Sequence, residues 1–535
     1  MHAIRSVRPR RRGRRLLAAS AMAVLLAAGT LPGAAVAADP TPPPEPGPLL
    51  NEEKVQEALR RLDGFVAGTM RDTGVPGAAV AVVYRDQVVY LKGFGVRRAG
   101  ESARVGPDTV FQLASLSKPL ASTVVASAVG GGGVRWEDPV SKLLPGFALK
   151  DPWVSGHADV ADLFAHRSGL PDHAGDLLED LGFDQSYIVR HLKYEPLAPF
   201  RASYAYTNFG LTAAAEGVAR AKGVSWQKLS SDLLFNPAGM TATSTLFADY
   251  TKAANRASGH QKSADGDWLP QHVRDADAQA PAGGASSTAR DMARWLRLQL
   301  SAGTLDGERI VDADQLLRTH QPQSVLHPST TPAGRTGFYG LGWNVSYDEL
   351  GRLRLSHSGA FALGANTSVT MLPVEKLGIV VLTNAAPTGL PDAVALDFFD
   401  TAQYGKPRAD WMALSAAVYA QQLDGGRSPT DYARPPADAA PAREDAAYTG
   451  AYENPYYGRL TVTRSPDGLV LLLGPKPMRF PLTHYDGDTF SFVTTGENAV
   501  GRTGVTFKDD TVRVEYLDAN ELGTFTRVAG PSTPR

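Results

Sequence analysis

A serine hydroxyl is a poor nucleophile at its ordinary pKa. A serine that does chemistry needs a base within hydrogen-bond reach and donors aimed at the oxyanion it creates. Ser115 and Lys118, in VFQLASLSKPLASTVVASAVGGGG, have the spacing to supply such a base, because three residues is nearly one helical turn and puts both side chains on one face. Burial and neighbouring positive charge can lower a lysine pKa until the neutral amine accepts a proton. Pro119 suits the first turn of a helix and the glycines at 130–133 end it, so Ser115 falls at or just before a helix N-terminus. Its own backbone N–H is there a candidate oxyanion donor.

Ser-x-x-Lys alone does not single out Ser115, since Ser225 and Lys228 repeat the spacing. Tyr-x-Asn likewise occurs at Tyr206–Asn208 and at Tyr452–Asn454, and His-x-Gly at His357–Gly359 and at His173–Gly175. Requiring the order Ser-x-x-Lys, Tyr-x-Asn, His-x-Gly removes the ambiguity. Nothing of the form His-x-Gly follows Tyr452, and His173 precedes Tyr206, so Ser115, Tyr206 and His357 survive together. A phenol ionises near pH 10, so Tyr206 can serve as a base only if Lys118 and its surroundings stabilise phenolate; the two are expected to act as a coupled pair.

The elements that must position these residues are legible in the apolar spacing. Val55, Leu59, Leu62, Val66 and Met70 recur at helical intervals before Gly74, and GAAVAVVYRDQVVYLKGFGV reads as two strands joined through Arg85, Asp86 and Gln87. Helix and loop dominate from about Asp138 to Leu300, and strand-like runs return at Arg352–Leu355, Asn366–Met371 and Leu377–Leu382. Strands at both ends with helices between predict one α/β domain, a mixed, antiparallel-rich sheet flanked by helices and carrying an all-helical insertion. Trp411–Leu423 reads as a helix before the Pro/Ala/Asp-rich linker SPTDYARPPADAAPARED. Beyond it, short strands at Leu460–Thr463, Leu469–Leu473, Thr489–Val493 and Val512–Leu517 alternate with Asp-Gly and Asp-Asp turns, predicting a small all-β barrel. Tyr448, Tyr452, Tyr456 and Tyr457 could form a sugar or peptide platform; the reading preferred here makes them the core of that barrel.

With these motifs in order, the chain resembles the class C β-lactamase and D-alanyl-D-alanine peptidase superfamily, which includes related esterases and D-aminopeptidases. The likeness runs through PGAAVAVVYRDQVVYLKGFGV, VFQLASLSKPL, DLFAHRSGLPDH, YAYTNFGLTAAAEGVA, AGGASSTARDMARWL and LSHSGAFALGANTSVTMLP. It implies that Ser115 forms an acyl-enzyme, Lys118 helps deprotonate it and Tyr206 shares proton transfer to the leaving group. It further implies that Asn208 binds a substrate amide, that His357 and Gly359 line the strand opposite the nucleophile, and that Ala360 N–H is the second oxyanion donor. The C-terminal barrel resembles the lipocalin-like modules of some members. Two departures from the family pattern stand out: Tyr-Thr-Asn replaces Tyr-Ser-Asn, and His-Ser-Gly replaces the Lys-Thr-Gly of a β-lactamase. A largely neutral histidine in place of a fixed cation disfavours β-lactam carboxylates. The expected order of substrates is therefore D-amino-acid peptides or amides, then carboxylesters, then β-lactams. A penicillin-binding or sensing protein without turnover is the rival of another class.

Composition bounds the rest. Residues 1–37 carry seven arginines, no acid, an apolar stretch from Leu16 to about Ala28 and small residues around Val36, the pattern of a secretory signal peptide cleaved after Ala37. Arg14 and Arg15 leave both general and twin-arginine export open. Loss of residues 1–37 shifts the net charge from −1 to about −8, which argues against nucleic acid or an anionic membrane as a partner. No stable membrane insertion is expected after cleavage; the partner is a small-molecule or peptide substrate outside the cytoplasm, secreted, periplasmic or at the cell envelope. With no cysteine, disulfides, a thiol nucleophile and thiolate metal sites are all excluded. His157, His166 and His173 match no strong ligand spacing, so neither metal nor cofactor is expected. The expected division is signal peptide 1–37, proline-rich tether 38–50, hydrolase domain 51–404, helix and linker 405–445, and β module 446–535.

Overall fold

A computed structural model describes residues 48–270 and 274–528. The expected signal peptide, its cleavage site near Ala37 and most of the tether lie outside these residues. The chain starts with helix α1 (Glu52–Thr73), capped by the Asn51 side chain on Lys54 N–H and closed by left-handed Gly74. Strands β1 (Gly77–Tyr84) and β2 (Gln87–Gly95) follow, then helix α2 (Ser117–Gly130). A helical region supplies α3 (Asp176–Asp180), α4 (Asn208–Ala221) and α5 (Ala289–Leu300). Six more strands return: β3 (Ser324–His327), β4 (Gly337–Tyr339), β5 (Asn344–Tyr347), β6 (Leu353–Phe361), β7 (Ala365–Leu372) and β8 (Leu377–Thr383). Helices α6 (Leu390–Tyr404) and α7 (Trp411–Asp424) complete this part.

The eight strands form one sheet in the order β2-β1-β8-β7-β6-β5-β4-β3, with every pairing antiparallel. The N-terminal hairpin thus zips onto the last strand, with Ala78 opposite Thr383 and Tyr84 opposite Leu377. Strand β1 is apolar at every position because both of its faces are covered. Ala79, Ala81 and Val83 join the large core beneath α2 and α5, whereas Val80, Val82 and Tyr84 pack with Val55, Leu62 and Val66 of α1 and Phe398 of α6. Strands β3 to β5 were not marked by the apolar pattern, because they are short and stand partly exposed at the edge, with Val325 half in solvent. Strand β6 runs well past the expected Leu355 and carries His357, Gly359 and Ala360.

The C-terminal strands make a second sheet of nine. In chain order they are β9 (Gly450–Asn454), β10 (Gly458–Ser465), β11 (Gly468–Leu473), β12 (Met478–Pro481), β13 (Thr483–Asp486), β14 (Thr489–Val493), β15 (Arg502–Lys508), β16 (Thr511–Val514) and β17 (Thr524–Val528). Their spatial order, β12-β11-β10-β9-β17-β16-β15-β14-β13, pairs the first strand with the last and leaves sequence neighbours β12 and β13 at the two edges. The sheet is therefore a nearly closed barrel whose seam falls at Leu482. Residues 515–517 turn as a 3-10 helix where the sequence suggested continued strand; Glu515 is drawn aside to bond Ser428 Oγ and Gly504 N–H. The four tyrosines are all buried, as core residues should be. Among the described residues no helix is long and apolar enough to cross a membrane.

The barrel does not hang free on its linker. Leu178 and Leu181 share a continuous apolar core with Tyr456 and Tyr457. Around that core the helical region offers carboxylates that barrel donors satisfy: Tyr456 OH and Asn520 Nδ2 bond Glu195. Asp180 accepts from Glu497 N (3.1 Å), Asn498 N (2.8 Å) and Asn498 Nδ2 (3.0 Å). Glu497 in turn accepts from Ala362 N and Leu363 N, in the turn that joins β6 to β7. One barrel loop therefore touches both the helical region and the sheet. We expect Asp180→Ala, which strands three donors at this junction, to lower stability by about 1.5–3 kcal/mol in denaturant unfolding. A change under about 0.5 kcal/mol would show that the junction is held by apolar contact alone.

Candidate active site

Ser115 sits in a 3-10 turn (Ala114–Leu116) that feeds directly into α2, so Lys118 occupies the first helical turn. Ala114 is held in the left-handed region at φ 48°, unusual for a residue with a Cβ. Such strain, of order 1–3 kcal/mol, persists where the surroundings over-determine the backbone. Here they do: Leu113 N donates to Ala285 O, Thr367 Oγ1 donates to Leu113 O, and Ser117 Oγ donates to Ala114 O while accepting from Ala285 N. Gly359 lies against the same turn. A Cβ there would stand 2.2 Å from Leu113 O and 3.0 Å from Ser115 N, so a side chain would displace the turn.

Lys118 is buried with its Nζ 3.0 Å from Ser115 Oγ, 2.7 Å from Asn208 Oδ1 and 3.0 Å from Ala282 O. Burial pushes its pKa down from 10.5 to about 7, against the opposing pull of Asp176. Three partners suit either protonation state. An ammonium donates three times; a neutral amine donates to the two carbonyl oxygens and accepts from the serine hydroxyl. The proton can therefore move with no rearrangement of heavy atoms.

Tyr206 OH donates to Ser115 Oγ at 2.7 Å, and Lys118 Nζ lies 4.3 Å from the centre of its ring. Burial raises the phenol well above 10, so it holds its proton; the hydrogen bond to Ser115 opposes that rise. Its backbone is fixed by Asp172, which accepts from Tyr206 N at 2.7 Å, and by His173 N donating to Tyr206 O. Asn208 opens α4 with its carboxamide spanning two partners. Its Nδ2 must face the acceptor Asp176 (2.8 Å), which turns Oδ1 toward Lys118. A half-exposed His173 bonds Asp176 through Nδ1 at 2.8 Å; crowding of the ring by protein pulls its pKa down, and the Asp176 and Asp172 carboxylates outweigh that and raise it.

His357 is 4% exposed, and both ring nitrogens are engaged within the protein. Ser358 O can only accept, so Nδ1 carries the hydrogen (2.9 Å), and Nε2 accepts from Tyr339 OH (2.9 Å). Burial and nearby Lys118 drive its pKa down to about 3. The imidazole is thus neutral, with both nitrogens bonded within the protein, on the strand whose Gly359 packs against the Ser115 turn. Ala360 is the next strand residue but two and is partly exposed.

The other matches to the same motifs fall elsewhere. Ser225 caps a short helix through Lys228 N, and Lys228 pairs with Asp232 on its surface. Asn454 accepts from Tyr456 N and Tyr457 N inside the barrel. His173 is the exception, since it lies at the site in its own right. Asp176, Ala282, His166 and Tyr339 were also missed. For His166 and His173 the HRSGLPDH segment is the available signal, but it carries no spacing rule. His166 is buried against Tyr206 and Tyr339, accepts from Thr207 N and is kept neutral by burial. Among the described residues no group of three His, Asp or Glu is placed to hold a metal ion.

A family model described as Beta-lactamase matches residues 62–398, and a second, a domain of unknown function (DUF3471), matches residues 434–528. The chain is 24% identical over 339 residues to Beta-lactamase-like protein 2 of Dictyostelium discoideum, covering 62% of this chain and 60% of that protein, so it spans less than two thirds of that relative. It is 25% identical over 331 residues to the D-alanyl-D-alanine-carboxypeptidase/endopeptidase AmpH of Escherichia coli (strain K12), covering 61% and 84% respectively. The octameric penicillin-binding protein homologue from Pyrococcus abyssi shares the fold, with a TM-score of 0.56 at 19% identity over 88% of this chain and 100% of that one. The first family match takes in well over half of the 535 residues and contains Ser115, Lys118, Tyr206 and His357, so the chain belongs to the beta-lactamase family of serine hydrolases.

Proposed function

We propose that the protein is an exported serine hydrolase that acylates Ser115 and releases the acyl group to water, acting first on D-amino-acid peptides or amides and second on carboxylesters. The observation that carries this reading is the buried amine of Lys118, 3.0 Å from Ser115 Oγ with its two other partners already in place. Export rests on the N-terminal sequence pattern.

In the acylation step the Ser115 hydroxyl proton passes to the free amine of Lys118 as Oγ adds to the substrate carbonyl carbon. The oxyanion lies between the N–H groups of Ser115 and Ala360. Tyr206, which holds its proton, gives it to the departing nitrogen or oxygen and is reprotonated by Lys118. Water then attacks the acyl-serine, Lys118 takes its proton and returns it to Oγ as the ester bond breaks, and Ser115 leaves as the hydroxyl with the amine free again. Lys118 and Tyr206 work as a coupled pair in which the lysine is the base and the phenol the relay. Asn208 fixes the amine, and its remaining N–H and lone pair are available to a substrate amide.

The neutral, internally bonded His357 leaves that strand without the cation that suits a β-lactam carboxylate, which places β-lactams last. Similarity to AmpH, a D-alanyl-D-alanine-carboxypeptidase/endopeptidase, favours peptides at the head of the order. A panel of D-Ala-D-Ala peptides, D-aminoacyl amides, p-nitrophenyl esters and nitrocefin tests it, run on wild type and Ser115→Ala. We expect Ser115→Ala to lose fluorophosphonate labelling and turnover, by about 10³-fold or more. Equal labelling of wild type and Ser115→Ala would overturn the nucleophile assignment, and labelling without release would favour a binding or sensing protein. Peptides should lead esters, and nitrocefin should be slowest; a nitrocefin kcat/KM above that of every other substrate would reverse the order.

The pH dependence follows from the lysine. Only the free amine accepts the serine proton, and its pKa is lowered to about 7. Log kcat/KM should therefore rise with pH below about 7 and level off above it. His166 and His357 are held neutral by burial and add no limb in that range. A profile flat from pH 5 to 9 would remove Lys118 as the base.

A further inference from the structure

Asn366 is fully buried in the sheet, in β7, where a carboxamide is tolerated only if its polar atoms are satisfied. Its Oδ1 accepts from Thr388 N and Gly389 N, both at 3.2 Å. Its Nδ2 donates to Gly359 O at 3.2 Å and to Tyr419 OH at 3.1 Å. The amide is thus fully used, and one of its four bonds goes to the strand that lines the nucleophile.

We propose that Asn366 is a positioning residue that aims the Ala360 N–H at the developing oxyanion by gripping the carbonyl of the same peptide unit. This rests on the reading of Ser115 as the acylated residue and of Ala360 N–H as an oxyanion donor. Gly359 C=O and Ala360 N–H belong to one trans peptide, so the two bonds point in opposite directions. Gly359 O faces Asn366 on β7, which directs Ala360 N–H away from β7. On that side β6 is free, because its pairing with β5 ends at Ser356. The Ser115 turn packs against Gly359 of the same strand. A hydrogen bond to the carbonyl also polarises the peptide and makes its N–H a better donor.

A second tier keeps Asn366 in place. Tyr419 on α7 accepts from Asn366 and donates to Asp392 Oδ2 at 2.9 Å, and Asp392 Oδ1 accepts from Ser358 Oγ. The chain of bonds starts at Gly359 O and returns to the neighbouring residue of β6. A purely structural Asn366 would need its bonds to Thr388 and Gly389, and the bond to Gly359 would be incidental.

The test compares Asn366→Ala and Tyr419→Phe with wild type in steady-state kinetics on an activated ester, and in affinity for phenylboronic acid, which forms a tetrahedral adduct on a reactive serine. Removing an oxyanion donor outright costs about 10²–10³-fold in kcat, so a misaimed one should cost Asn366→Ala about 10- to 100-fold. Boronate affinity should fall by a similar factor, with KM within about threefold, since only the tetrahedral state uses the donor. Tyr419→Phe leaves Asn366 in place but loosened, and should show the same paired loss at about three- to tenfold. Should Asn366→Ala not fold, Tyr419→Phe decides by the same criterion. A lower melting temperature with unchanged kcat and boronate affinity in the folded variants overturns the proposal, as does a rise in KM alone. Boronate that binds Ser115→Ala as well as wild type would instead overturn the acyl-serine reading beneath it.

Discussion

Burying the amine of Lys118 is the act on which the rest of the site depends. Moved out of water, an ammonium loses much of its solvation, and a pKa lowered from 10.5 to about 7 corresponds to about 5 kcal/mol in favour of the free amine. The protein then has to supply three partners in fixed directions, and each comes from a different part of the fold. Ser115 comes from the turn before α2, Asn208 from the start of α4, and Ala282 O from the short helix that precedes Ser286–Ser287. A base poised near neutrality is therefore a property of the tertiary structure and not of the Ser-x-x-Lys spacing that announces it.

The same logic extends outward. Asn208 can turn its oxygen to Lys118 because Asp176 takes its N–H, and Asp176 is also bonded by His173. Asp176 lies on α3, whose other end carries Asp180, the carboxylate that receives the barrel loop. That loop reaches on through Glu497 to the turn after Ala360. The C-terminal module is thus bonded to both walls of the candidate site, the helical wall with Asp176 and the sheet wall with Gly359. Glu179 and Glu497 lie near Arg274 in the same interface, and burial pushes both carboxyls up to about 7.

Much of this was visible beforehand for a definite reason. Long regular elements with a repeating apolar pattern, such as α1, β1, β7 and β8, declare themselves because their burial is periodic. The ordered motifs selected Ser115 over Ser225; in the structure Ser225 spends its hydroxyl on a helix cap, and Lys228 faces water beside Asp232. Strands β3 to β5 escaped the apolar pattern because they are short and partly exposed toward the open edge of the sheet. In the barrel β9, β12, β13, β15 and β17 were not picked out, the first, third and last two because polar residues alternate along them. The partner of His357 Nε2 could not be read from the sequence, because Tyr339 lies 18 residues earlier and meets it only through the pairing of neighbouring strands.

What the sequence alone determined is the inventory and its order: a serine at a helix start, a lysine one turn on, then a tyrosine and asparagine, a histidine and glycine just past a late apolar strand, and a separate β module behind a linker. These follow from local rules of spacing, capping and turn composition, which act over a few residues. Tertiary structure alone decided the protonation of Lys118, the neutrality of His357, the recruitment of Asp176 and His173, and the grip of Asn366 on Gly359. Each of these depends on how far water is excluded and on which distant group fills the vacated hydrogen bond, and neither quantity is encoded within any one segment of the chain.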